Sequence, residues 1–128
     1  MMISITVITM RVMVVDDDEN IRKILRFMLR EHEVIEASNG QEAIQLYYRF
    51  RPDIVLMDVM MPDMDGVEAT REILQIDPDA VIIGITAFAR SKGKDLLTAG
   101  ARDVLEKPFS KAKIVEVLRR YTIVMGES

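Results

Sequence analysis

The chain has no cysteine, a single histidine and no excess of positive charge. Without cysteine there is no disulfide scaffold, no thiolate zinc site and no cysteine nucleophile, and the composition fits a reducing compartment. One histidine, His32, excludes a two-histidine zinc motif and leaves little material for a histidine triad. A net charge of −4 and an isoelectric point near 5.0 argue against a general nucleic-acid binder. No segment reaches the roughly 18–20 apolar residues that a membrane crossing needs. The opening run Ile3-Ser4-Ile5-Thr6-Val7-Ile8-Thr9 lacks the basic flank and small-residue cleavage site of a secretory leader, and it alternates like a strand instead.

What is present suits one domain: 128 residues, 49% hydrophobic and 30% charged, enough for a core under a solvated surface. The charge is uneven. Residues 1–85 sum to −8 and residues 86–128 to +4, which fits two faces with different partners and equally a solvated surface with chance clustering. Met10 is expected to be the natural start, with residues 1–9 an extension, 10–121 the domain and 122–128 a tail.

Met10-Arg11-Val12-Met13-Val14-Val15 is an apolar run that stops at Asp16-Asp17-Asp18. Ile21, Ile24, Leu25, Met28 and Leu29 then recur at helical spacing. Glu33–Ala37 reads as a short strand, Ser38-Asn39-Gly40 as a turn, and Ala43, Ile44, Tyr47 and Phe50 as a second helix that Arg51-Pro52 ends. Asp53–Met57 is a nearly all-apolar strand ending at Asp58. Val59–Gly66 is a loop, and a helix through Val67, Ile73 and Leu74 stops before Asp77-Pro78. Ala80–Ile85 is a further apolar strand ending at Thr86. A weaker helix covers about Ser91–Ala99, Asp103–Glu106 is the last strand, and Ile114, Val117, Leu118 and Tyr121 mark the last helix. Five β-α units with short connections predict an α/β fold: a doubly wound, five-stranded parallel sheet in the order 2-1-3-4-5, helices on both faces, flavodoxin-like.

In such a sheet, ligands bind beyond the carboxyl ends of the strands where strand order reverses. The residues at those ends are Asp16, Asp17, Asp58, Thr86 and Lys107. Strands 1 and 3 would be neighbours about 4.8 Å apart, so their terminal carboxylates converge. Two unit charges about 4 Å apart repel by roughly 4 kcal/mol at an effective dielectric of 20. Three crowded acids therefore call for a cation or a proton, and oxygen donors with room for water suit magnesium. Lys107 offers a point charge and Thr86 a hydroxyl to phosphoryl oxygens, and Asp58 would be a carboxylate nucleophile. Taken singly, each has a plainer reading as a helix cap, turn former or surface residue. All five at one edge of one sheet make coincidence a poor explanation.

From about Met10 to Tyr121 the chain closely resembles the receiver domain of two-component response regulators. The resemblance is carried by Val14-Val15-Asp16-Asp17-Asp18, the run Asp58-Val59-Met60-Met61-Pro62-Asp63-Met64-Asp65-Gly66, Thr86-Ala87 and Lys107-Pro108-Phe109. It implies that Asp58 accepts phosphate from a histidine kinase. It also implies that Asp17, Asp58 and the Met60 carbonyl bind magnesium, Asp16 contributing through water, while Thr86 and Lys107 hold the phosphoryl group. The Lys107-Pro108 bond is expected to be cis. The expected setting is a cytoplasmic, stand-alone signalling protein rather than an enzyme, a monomer or weak dimer. Its partners would be a histidine kinase and a downstream target or phosphotransfer protein, with no direct nucleic-acid contact and no membrane insertion. Chemotaxis motor control and a phosphorelay both fit.

Several residues call for separate readings. Asp18 is expected to support the site or cap the first helix, and His32 to be structural or solvated. Most of Met57, Met60, Met61 and Met64 are expected to pack. Val104 stands where the family often has an aromatic ring that turns inward on phosphorylation, so signalling would rest on Thr86, the loop after strand 4 and helix 4. The output surface expected is helix 4, strand 5 and helix 5, with Arg90, Lys92, Lys94, Arg102, Lys111 and Lys113 favouring an acidic partner. Met60 and Phe88, both apolar, would flank attacking water and slow hydrolysis of the acyl phosphate. A phosphatase of the haloacid dehalogenase type is the rival, since Asp16-Asp17-Asp18 contains its Asp-x-Asp pattern. Against it, Asn20 replaces the expected Thr or Val and no acidic pair follows the lysine. A degenerate receiver acting only as an interaction module would lack an acid or the lysine, and none is missing.

Overall fold

Strand and helix alternate among the described residues because apolar runs of strand length are separated by stretches of helical period, the first three opened by capping residues. The computed structural model describes residues 9–87 and 89–126, without the side chains of 89–91 and 122–126. The expected N-terminal extension falls almost wholly outside the described residues, and Phe88 lies outside them too. The elements are β1 (Arg11–Val15), α1 (Glu19–Met28), β2 (Glu33–Ala37), α2 (Gly40–Phe50), β3 (Ile54–Asp58), α3 (Gly66–Ile76), β4 (Ile82–Thr86), α4 (Ala89–Ala99), β5 (Asp103–Glu106) and α5 (Lys111–Gly126). All pairings are parallel and the strand order is β2-β1-β3-β4-β5, as expected.

Alternation within the strands divides the core into two layers. Met13, Val15, Val55, Met57 and Ile82 face one layer, with Ala43 and Tyr47 of α2, Ile73 of α3 and Leu96 of α4. Val12, Val14, Ile54, Leu56, Ile83 and Leu105 face the other, with Leu25 of α1 and Ile114, Val117 and Leu118 of α5. β3 and β4 are buried at every residue, which is why they read as continuous apolar runs. Asp18, Asn39 and Asp65 cap α1, α2 and α3, each carboxylate or amide oxygen accepting from a backbone N–H of the first turn. His32 has a structural part: its Nδ1 accepts from the Met10 N–H at 3.1 Å.

Two boundaries differ from expectation. α4 begins at Ala89 rather than about Ser91. α5 runs through Gly126, past the Tyr121 boundary at which a tail was expected. Thr122-Ile123-Val124-Met125 contains no proline or glycine, so nothing in the chain stops the helix before Gly126. Among the described residues no helix is long and apolar enough to cross a membrane.

Candidate functional site

The same alternation that builds the core carries three charged groups to one point. Asp16 continues the Val12, Val14 parity of β1, Asp58 the Ile54, Leu56 parity of β3, and Lys107 follows Leu105 of β5. All three therefore leave the sheet edge on the α1 and α5 side. β1 and β3 are adjacent, and this is where the strand order reverses. Lys107 Nζ donates to Asp16 Oδ2 at 3.1 Å and to Asp58 Oδ1 at 3.2 Å. Asp16 and Asp58 are 2% and 4% exposed, whereas Asp17 is open to solvent. Carboxylate oxygens of Asp16, Asp17 and Asp58 all come within 4.8 Å of one another.

The electrostatics follow from that crowding. Burial, then the neighbouring charge of Asp16, push the Asp58 carboxyl from its ordinary 3.8 up to about 6, against the opposing pull of Lys107. For Lys107, burial works against its charge, but Asp58 and Asp16 outweigh it and hold the ammonium above its ordinary value. One ammonium thus serves two buried acids beside a third, and the set retains an excess of negative charge. Hard, oxygen-only donors gathered this closely suit magnesium.

Thr86 ends β4 and is buried, one step along the sheet from Ile85, the register partner of Asp58. Its parity is that of Ile82 and Gly84, so it lies toward the α4 layer, and its carbonyl accepts from the Lys107 N–H at 2.9 Å. The Lys107-Pro108 bond is cis, as expected. The loop after Asp58 folds back tightly. Asp63 adopts a left-handed φ of 70°, and the Gly66 N–H donates to Val59 O at 2.9 Å. Within that loop Met61 and Met64 are buried with Met57, whereas the Met60 side chain is 54% exposed.

Asp18 caps α1 through Asn20 and donates its own N–H to Asp16 Oδ1 at 2.9 Å, so it performs both tasks expected of it. Val104 packs on the α4 layer opposite Gly93. Of the basic residues expected on one surface, Lys111 departs: it pairs with Glu31, beyond the end of α1, at 3.7 Å. Lys94, Arg102 and Lys113 are exposed, and the Arg90 side chain lies outside the described residues. Sequence reasoning missed Arg22, whose guanidinium donates to the Asp16 carbonyl at 2.7 Å. Its only signal was a charged residue one turn after the helix cap.

Comparison with known proteins converges on this geometry. A family model described as the response regulator receiver domain matches residues 12–119. The chemotaxis protein CheY of Thermotoga maritima is 40% identical over 114 residues, covering 86% of this chain and 95% of that protein. Among solved structures, the receiver domain of a sensor histidine kinase of Pseudomonas aeruginosa, with a magnesium ion coordinated in its active-site cleft, superposes with a TM-score of 0.83. It is 32% identical, covering 89% of this chain and 98% of that one. A CheX-CheY-BeF3-Mg2+ complex of Borrelia burgdorferi gives a TM-score of 0.80 at 32% identity, covering 86% of this chain and 87% of that one.

Proposed function

The chain belongs to the response-regulator receiver family, and from that premise we propose that it is a phosphorylation switch whose acceptor is Asp58. The observation that carries the reading is a buried carboxylate held 3.2 Å from an ammonium, beside two further acids, at the reversal point of the sheet. Receiver domains are signalling proteins that bind Mg2+ at an acidic cluster. Here Asp16, Asp17, Asp58 and the Met60 carbonyl would hold the ion, Asp16 through water. When bound, the ion supplies positive charge against the negative charge of the transferred phosphoryl group.

The chain's own residues do the rest. An Asp58 oxygen attacks the phosphorus of a phosphohistidine on a kinase. The P–O bond forms as the P–N bond breaks, and the imidazole leaves with the electron pair. Lys107 turns from the carboxylate to the phosphoryl oxygens, stabilising them as a point charge. The Thr86 hydroxyl donates to the same group. Because Thr86 ends β4 just before α4, that movement reaches the α4, β5 and α5 surface without an aromatic at Val104. Lys92, Lys94, Arg102 and Lys113 give this surface its preference for an acidic partner, either a target protein or a phosphotransfer protein. A cytoplasmic location, no direct nucleic-acid contact and a monomeric or weakly dimeric state complete the reading.

Incubating the full chain with a small acyl phosphate and Mg2+ is expected to label it once, at Asp58 by peptide mapping, with slow turnover. Chelating the metal or replacing Lys107 with Met is expected to remove most of the labelling. Label at another residue, or rapid multiple turnover as a phosphatase would give, overturns the proposal. Binding of a partner through α1 in place of α4-β5-α5 would overturn the output surface alone.

The exposed, apolar Met60 side chain stands two residues past the acceptor, where it offers no hydrogen bond to an attacking water. Met60→Asn is expected to shorten the half-life of the phosphorylated chain several-fold in magnesium buffer, measured by loss of label. An unchanged half-life would remove Met60 from the account of phosphate lifetime.

A further inference from the structure

We propose that Arg22, held by Glu36, is a positioning residue that fixes the Asp16-Asp17 segment and thereby sets how tightly the acidic site takes a divalent cation. The inference rests on the magnesium reading above and deepens it. Arg22 lies on α1, with its side chain only 15% exposed. One nitrogen, Nη1, donates to the Asp16 carbonyl at 2.7 Å, while Nε donates to Glu36 Oε1 on β2 at 3.1 Å. The second oxygen of Glu36 accepts from Arg26 Nη1 at 2.7 Å, so the carboxylate that orients Arg22 is itself held.

The Asp16 peptide is consequently anchored on both sides. Its N–H donates to Ala37 O at 3.1 Å and its carbonyl accepts from Arg22. Asp18, on the far side of Asp17, is fixed as the cap of α1, and its carbonyl accepts from the Arg22 N–H at 3.1 Å. Asp17 thus sits between two pinned residues, Asp16 held by the Arg22 side chain and Asp18 by the first turn of α1. Glu36 is shared with Arg26 and offsets the charge of Arg22 only in part, so what Arg22 contributes to the site is direction together with field. Magnesium demands near-ideal octahedral geometry, which makes its affinity sensitive to where the carboxylates point. A planar guanidinium bridges two acceptors on separate elements, whereas a lysine ammonium at the end of a flexible stem reaches one of them well.

Calorimetric titration of the metal-free full chain with MgCl2 tests this, with thermal melts of each variant alongside. Arg22→Ala is expected to weaken Mg2+ binding about tenfold, as loss of partners behind metal ligands commonly does. Arg22→Lys is expected to recover part of that loss, and Glu36→Gln to show a smaller one. Lys23→Ala removes a positive charge from the same helix without touching Asp16 or Glu36, and its affinity is expected to stay within about twofold of wild type. Equal affinities for Arg22→Ala and wild type overturn the proposal, as does a Lys23→Ala loss as large as that of Arg22→Ala. Should Arg22→Ala fail to fold, wild-type affinity in both Arg22→Lys and Glu36→Gln overturns it. Asp17→Asn separates the two levels: if it binds Mg2+ as well as wild type, the magnesium reading fails and not merely this inference.

Discussion

Asp58→Asn is expected to abolish phosphoryl acceptance and, in metal-free buffer at pH 7, to make the chain more stable than wild type. Asp58 is 4% exposed and its carboxyl titrates near 6 in the fold, against 3.8 ordinarily. Between those two values the folded chain holds a proton that the unfolded chain has released. Stability therefore falls as pH rises through that window, and above about pH 6 the whole penalty applies, on the order of 3 kcal/mol. Asparagine keeps the shape and an acceptor oxygen for Lys107 while removing the buried charge. The pull of Lys107 is already contained in that titration, so the gain is at most about 3 kcal/mol, less what the asparagine amide N–H groups cost where they find no partner. Urea melts with chelator at pH 7 and pH 4 check this: the advantage should be present at the first and nearly gone at the second. Added Mg2+ should raise the melting temperature of wild type more than that of the variant. A variant less stable than wild type at pH 7 would show that the charged Asp58 carboxylate does not destabilise the fold.

The legible part of this protein was the part written in local pattern. β3 and β4 are unbroken apolar runs because both faces of each are covered, and that alone predicts parallel strands at the centre of the sheet. The site was legible because Asp16, Asp58 and Lys107 stand where those runs end, and a parallel sheet brings all such ends to one edge. The matching parity of Asp16, Asp58 and Lys107, which turns a shared edge into hydrogen-bonding distance, was less visible. It depends on where each strand begins, and that is known only once the register is fixed. Arg22 and Glu36 were missed for a related reason. They belong to different elements, and Arg22 acts on a main-chain oxygen, so neither residue type announces the contact. Lys111 was misplaced because net charge along the chain does not say which way a side chain on α5 turns; its partner Glu31 lies beyond the end of α1.

Two glycine-to-alanine changes are expected to move stability in opposite directions, which tests the packing behind the site independently of its chemistry. A Cβ on Gly66 would stand 2.1 Å from the Asp58 carbonyl oxygen and 2.9 Å from the Asp58 carbonyl carbon and Val59 Cα. All three are backbone atoms, so no rotamer change relieves the overlap. The start of α3 must withdraw from the end of β3, stretching the Gly66-to-Val59 hydrogen bond and displacing Asp58, the proposed acceptor. Gly66→Ala is therefore expected to cost about 3 kcal/mol and to weaken Mg2+ binding in whatever fraction remains folded. The atoms nearest a Cβ on Gly93 would be Val104 Cγ1 at 3.4 Å, Cγ2 at 3.7 Å and Cβ at 3.9 Å, all ordinary contacts. Gly93 lies inside α4, where glycine costs roughly 0.5–1 kcal/mol relative to alanine, so Gly93→Ala is expected to stabilise the chain by about that amount. Urea melts of both variants decide the matter. A loss at Gly93 as large as that at Gly66 would mean that α4 and Val104 are packed as tightly as the loop behind Asp58. The room left by valine at position 104 would then not be available for the movement of α4 that the proposed switch calls for.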